Sequence, residues 1–425
     1  MANIKFPYGK SHLELNIEDK YLKGVLLSHL EEYVPVDSEI NLVKNAIENP
    51  IESDKLSKLS AGKKNVVIIC SDHTRPVPSK IIIPLMLEEI RKGNPDADIT
   101  LLIATGFHRE TTRQELINKF GEDIVNNEKI VIHKSENLED MVSLGTLPSG
   151  GELLINKIAA NADLLCAEGF IEPHFFAGFS GGRKSILPGV ASKVTVLANH
   201  CSKFIDSQYS RTGILENNPI HRDMLWAAKT AKLAFICNVV INAQKKVVYA
   251  VSGDVEKAHL KGVEFLSKYC MVDGVNADIA ISTNGGYPLD QNIYQSVKGM
   301  TAAEATVRKD GVIIMLASAA DGHGGESFYQ TFKADKKVED LYAEFMSRDA
   351  NHTIADQWES QILARILMHC KVIYVSDCDD EMIKEFRMIP AHSLDEALDK
   401  ARQLVGKEAS VAAIPDGVSV MVVNR

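Results

Sequence analysis

The chain has 425 residues, 45% hydrophobic and 24% charged, with a formal net charge of -10. That length holds about two or three domains, the composition is that of a soluble globular protein, and the acidic balance argues against a nucleic-acid-binding surface. Seven cysteines stand singly without a C-x-x-C pair, which disfavours disulfide staples and a thiolate zinc site. No apolar signal core opens the chain and no run reaches membrane-spanning length. The expectation is a cytoplasmic protein with neither nucleic acid nor membrane as partner.

Residues 1–60 read as a short strand-rich start followed by polar helices. From Lys64 the pattern sharpens: NVVIIC (65–70), ITLLIA (99–104), KIVIHK (129–134) and ADLLCA (162–167) are apolar runs of the kind buried on both faces of a parallel sheet. Helices are predicted over about 81–92 and 113–120. A helix near 223–232, the strand 233–241, a hairpin partner in KKVVYAVSGD and a helix over 255–269 complete this part. MVDGVN (271–276) is predicted to be a hinge. Beyond it DIAISTNGG restarts the strand-then-glycine theme, followed by a strand at 311–318, helices at 337–347 and 356–369, a strand at 371–377, then VAAIP and a final strand VSVMVVN. Alternating strands and helices predict an α/β fold: two domains, 1–271 and 272–425, with mostly parallel sheets flanked by helices.

In such sheets ligands bind beyond the carboxyl ends of the strands. Polar, glycine-bearing segments fall at five of those ends: 71–75, 105–108, 169 onward, 283–286 and 321–325. They suggest one crevice shared by both domains. The richest stretch, GFIEPHFFAGFSGGRKSILPGVASKVTVLANH (169–200), packs glycines, phenylalanines, two histidines and an Arg-Lys pair where no regular helix or strand is predicted. Dense glycine means close backbone approach or positive φ. GFSGGRKS resembles a P-loop, but Arg183 stands where glycine is required, and no G-x-G-x-x-G fingerprint follows a strand. Two roles stay open for Lys184: with Gly181, Gly182 and Arg183 it offers amides and cations to a phosphate, or, desolvated, it is a nucleophile. Of thirteen histidines, His108 and His174 each lie just past a strand end beside phenylalanine, as an acid and base on two faces of a substrate would. His200 is a metal ligand or a helix cap. Neither H-E-x-x-H nor a close His–Asp–His spacing occurs, so a metal here would take most of its ligands from a cofactor.

Taken together, SDHTRPVP (71–78), TGFHR (105–109), HFFAGFSGGRKSILPG (174–189), ANH (198–200), STNGGYPLDQNIYQSVKGM (282–300), DGHGGE (321–326) and DQW (356–358) resemble the lactate racemase family of nickel-pincer-nucleotide-dependent 2-hydroxyacid racemases and epimerases, along essentially the whole chain. The resemblance implies that Lys184 carries a pyridinium mononucleotide through a thioamide link and that His200 completes a planar nickel site with cofactor sulfur and carbon. It implies hydride transfer through a 2-keto acid, with His108 and His174 exchanging the hydroxyl proton on opposite faces and Arg75 stabilising the oxygen. Tyr294, Gln295, Lys298 and Trp358 match positions that bind substrate. Asp72, Gly181 and Gly182 are expected beside the cofactor, Asp72 also orienting Arg75 or a histidine. The implied substrate is a small 2-hydroxyacid, with a tilt toward lactate. Other expectations are an epimerase of a larger hydroxyacid or a phosphate-ligand binding protein. Cofactor-synthesis enzymes in the same cell are the implied partners.

Overall fold

The computed structural model describes residues 1–423. Two six-stranded sheets organise the chain. The first runs, edge to edge, Val247–Gly253, Leu233–Ile241, Leu164–Phe170, Asn65–Ser71, Asp98–Ala104, Lys129–Ile132. Only the hairpin at its edge is antiparallel. The β-branched runs form strands here because both faces are covered: Val67 and Ile69 enter one apolar cluster while Val66 and Ile68 enter another. Each such side chain contributes about 1.5–3 kcal/mol on burial. The helix Arg113–Phe120 begins on a capping box between Thr112 and Glu115, which satisfies two otherwise orphaned amides.

Strand order fixes the place of the ligand crevice. From Asn65–Ser71 the chain steps outward to 98–104 and 129–132, then returns to the other side at Leu164–Phe170. The switch point, where α/β sheets take ligands, therefore lies between the ends of 65–71 and 164–170. The segments that begin at Asp72 and at Ile171 leave from those two ends.

The second sheet runs Ile389–Ala391, Lys371–Val375, Val307–Leu316, Ala277–Thr283, Val411–Ile414, Leu22–Val25, all parallel. Its last strand corrects the expected domain split. Residues 1–25, read as part of the N-terminal domain, lie with the C-terminal sheet. The hairpin Ala2–Tyr8/Ser11–Ile17 buries Ile4, Phe6, Leu15 and Ile17 against Ile279, Ile281, Val312 and Ile314. A hairpin with one apolar face has no stability alone and needs a sheet to cover it. The expected hinge at 271–276 is also corrected in part: Met271–Asp273 pairs with Met421–Val423, and the Gly274 amide donates to Val423. Asn424, the expected end of that last strand, lies outside the described residues.

Candidate active site

After Phe170 the chain forms a short ladder, Pro173–His174 against Gly178–Phe179, then one turn of 3-10 helix over Gly182–Ser185. Gly178 adopts φ +78, and a Cβ there would meet the Ile214 carbonyl at 2.3 Å, so only glycine permits the approach. The Gly182 amide donates to Asn238 Oδ1 at 2.7 Å. Arg183 is fully buried, its Nη2 donating to the Ala177 carbonyl at 2.8 Å and its Nη1 to the Gly181 carbonyl at 3.2 Å, beside His259. Burial pushes this guanidinium down to about 9. The phosphate-cradle reading of Gly181–Lys184 is thereby corrected: the Gly182 amide and the Arg183 cation are consumed inside the protein, bracing the turn that presents Lys184.

Lys184 Nζ lies over the Phe176 ring at 5.8 Å. Desolvation, then the charges of Arg183, Arg75 and Lys298, hold its amine well below the ordinary lysine range against the pull of Glu172. Phe176 is the centre of a string of rings. His174 meets it edge-on at 4.5 Å and His200 at 5.1 Å, while Trp358 meets His200 at 5.1 Å and Phe107 lies 6.0 Å from Trp358. His200 caps the helix Lys193–Asn199, and its Nδ1 donates to the Val196 carbonyl at 3.0 Å. That bond assigns the lone pair to Nε2. Burial, then the Lys184 charge, depresses the ring to about 3, so it is neutral at physiological pH. Both readings of His200 hold in one residue: it caps the helix and presents a free imidazole nitrogen.

The two remaining histidines have opposite surroundings. Asp72, 1% exposed, takes His108 Nδ1 at 2.7 Å and the Thr74 hydroxyl at 2.7 Å. Burial alone would raise this carboxyl, but His108, Thr74 and Arg75 outweigh it and hold it below the usual carboxylate range. His108 therefore carries Nδ1–H toward a carboxylate and leaves the Nε2 lone pair free. His174 Nδ1 instead accepts from the amide of Ala177 at 3.3 Å, which leaves the proton on Nε2. Burial, then Lys184, Lys298, Arg75 and His200, push His174 well below its ordinary value. Arg75 donates to Thr74 Oγ1 at 3.0 Å, and its charge acts on Glu172, His174, Lys184 and Lys298 alike.

From the second sheet's half come Tyr294, Gln295 and Lys298 on the helix Ile293–Glu304 and Trp358 on Gln357–His369. Lys298 Nζ donates to Gln295 Oε1 at 2.6 Å, and the Tyr294 hydroxyl to Asp356 at 3.3 Å. The two halves are laced through Ser202, which accepts Gln357 Nε2 at 2.5 Å and donates to the Phe345 carbonyl at 2.6 Å.

Every residue expected at the site thus falls near one of these contacts, with roles redistributed. Asp72 orients His108, while Gly181 and Gly182 shape the turn. Sequence reasoning missed Glu359, whose signal was its place beside Trp358, and the Arg183–His259–Asn238 brace, which carried none. It took Glu172 for a mere variation, yet this carboxyl is raised by burial against the pull of Arg75, Lys298 and Lys184.

The comparisons agree with this geometry. Residues 8–213 match the model of the lactate racemase N-terminal domain and residues 272–422 that of the C-terminal domain. The chain is 59% identical over 423 residues to a lactate racemase of Thermoanaerobacterium thermosaccharolyticum (99% of each chain) and 53% identical to one of Lactiplantibacillus plantarum (99% of this chain, 100% of that one). It superposes on the lactate racemase apoprotein structure from T. thermosaccharolyticum with a TM-score of 0.96 at 58% identity, covering 99% of this chain and 100% of that one. A Thermotoga maritima protein structure shares the fold at a TM-score of 0.63 and 17% identity, over 92% of this chain and 100% of that one. The chain belongs to the lactate racemase family.

Proposed function

We propose that this protein interconverts D- and L-lactate in the crevice between its two halves, on a nickel-pincer pyridinium nucleotide anchored to Lys184. The observation that carries the reading is the pairing, across the Phe176 ring, of a desolvated lysine amine and a neutral His200 with an unbonded Nε2. The residues fit the group. A neutral amine is the nucleophile an amide-type link needs, and a neutral imidazole is a good nickel ligand. Among the described residues no cluster of three or more His, Cys, Asp or Glu side chains can hold a metal, in keeping with a metal whose remaining donors belong to the cofactor. When bound, the nucleotide supplies a hydride acceptor and donor for the substrate α-carbon.

The chain's own groups do the rest. Lys298, fixed by Gln295, takes the lactate carboxylate, and the Arg75 guanidinium faces the C2 oxygen as its charge changes. His108 Nε2 accepts the hydroxyl proton of one enantiomer, with Asp72 stabilising the imidazolium. His174, holding its proton on Nε2, returns one to the planar keto acid from the other face. The reverse reaction exchanges these roles. Trp358, Phe107 and the Phe175–Phe176 pair exclude water from the planar intermediate. The cytoplasm is the proposed compartment, where reduced thiols persist and the cofactor-synthesis enzymes act: all seven cysteines are free, and no described helix is long and apolar enough to cross a membrane.

The test is to co-produce the protein with the cofactor-synthesis enzymes, map peptide masses and incubate it with L-lactate. An adduct on the Lys184 peptide and the appearance of D-lactate are expected. Unmodified Lys184 with unchanged L-lactate would overturn the reading.

A further inference from the structure

One buried acid in the site has no role in the scheme above. Glu359 is 1% exposed, and its Oε1 has no hydrogen-bond partner. It sits in the first turn of the helix Gln357–His369, directly after Trp358. That helix packs against Ile293–Glu304, which carries Tyr294, Gln295 and Lys298. A buried carboxyl with an open oxygen costs about 1–3 kcal/mol or more, so its retention in an otherwise apolar layer asks for a compensating charge. The first turn of a helix favours an anion, and the nearest cation acting on it is Lys298.

We propose that Glu359 is the positioning residue of Lys298: it is the counter-ion that keeps this amine protonated in the closed site, and it is relieved when the substrate carboxylate arrives. The inference rests on the reading of Lys298 as the carboxylate-binding residue. The charges around the pair support it. Facing Lys298 are Arg75, which disfavours its proton, and Glu359 and Glu172, which favour it; burial lowers the amine overall. Facing Glu359 are Lys298 and Asp356, and Tyr294 feels its charge. Burial raises Glu359 and Lys298 opposes that rise. The lysine has one printed bond, to the neutral Gln295 Oε1, so no other carboxylate bonds its ammonium. Without Glu359 a desolvated amine beside an arginine sheds its proton near neutral pH and no longer attracts a carboxylate. With it, the proton stays on Nζ, and the carboxyl accepts a proton from solvent once lactate supplies the negative charge.

The test uses full-length, cofactor-loaded protein and the variants E359Q and E359D. Two measurements are made: the pH profile of kcat/KM for lactate, and the pH dependence of Lys298 acylation by acetic anhydride, mapped by peptide mass. For E359Q the alkaline limb of kcat/KM is expected to move down by about one pH unit or more, with the loss falling on KM rather than kcat. The Lys298 labelling midpoint is expected to fall by the same amount, and E359D to restore part of both. A labelling midpoint in E359Q equal to that of the parent, or a loss of equal size at every pH, would overturn the proposal. Lys298 labelling does not depend on turnover, so parent protein that fails to racemise lactate would sink the functional reading while the labelling result still decides the role of Glu359.

Discussion

Asp72→Asn isolates one charge in the site. Asparagine keeps an oxygen for His108 Nδ1–H and for Thr74, which bond Asp72 at 2.7 Å each, so the ring stays oriented while the negative charge is removed. A hydrogen bond to a charged group is worth about 1.5–3 kcal/mol. If that stabilises the His108 imidazolium in the transition state, its loss lowers kcat/KM by about 10- to 150-fold. Enantiomers have equal free energy, so kcat/KM must fall by the same factor from either side. The assay is initial racemisation of D- and of L-lactate by chiral chromatography, normalised to the Lys184 adduct. A loss smaller than about threefold (roughly 0.6 kcal/mol) at equal cofactor loading would refute the role of Asp72 as partner to the imidazolium.

Other outcomes follow from the same geometry. His108→Ala and His174→Ala should each abolish net racemisation, yet each should still oxidise one enantiomer in a single turnover, and the two variants should favour opposite ones. Acid-quenched keto acid measures this, and identical preference would contradict the two-face assignment. Arg183→Lys should not rescue Arg183→Ala, because lysine cannot span the Ala177 and Gly181 carbonyls; both should lose about 3–5 kcal/mol in urea unfolding, and near-parent stability in either would remove the brace. Stability should also fall on acidification. Burial depresses His133 to about 4, against 6.5 for the model group, so between those values the unfolded chain binds the extra proton and stability rises with pH. The loss from pH 7 to 5 is about 2 kcal/mol for this residue. His133→Asn should flatten the dependence of the urea midpoint on pH, and an unchanged slope would refute the assignment.

Much of the fold was legible because local chemistry and tertiary fate agree along most of the chain. The β-branched run at 65–70 becomes a central strand, and the Thr112–Glu115 box starts its helix at Arg113 as predicted. Disagreement came where pairing is long-range. Nothing local tells Leu22–Val25 that its partner is Val411–Ala413, or Met271–Asp273 that it joins Met421–Val423. The site was legible as a set of strand-end motifs, and the switch point of the first sheet accounts for why Asp72 and His174 meet. Its polar interior was not. Arginine is a surface residue by habit, so a fully buried Arg183 leaves no trace in sequence. The same holds for Gln357, Glu359 and Gln361, buried on a helix whose polar face turns toward Ser202 and Lys298 rather than solvent.

The most direct test of the central claim follows one hydrogen. Cofactor-loaded protein is given L-lactate deuterated at C2 in ordinary water, and the D-lactate formed is separated and weighed by mass spectrometry. Transfer of hydride within a water-excluding site predicts D-lactate that retains most of its deuterium. D-lactate carrying protium at C2, or no D-lactate at all, would contradict the account.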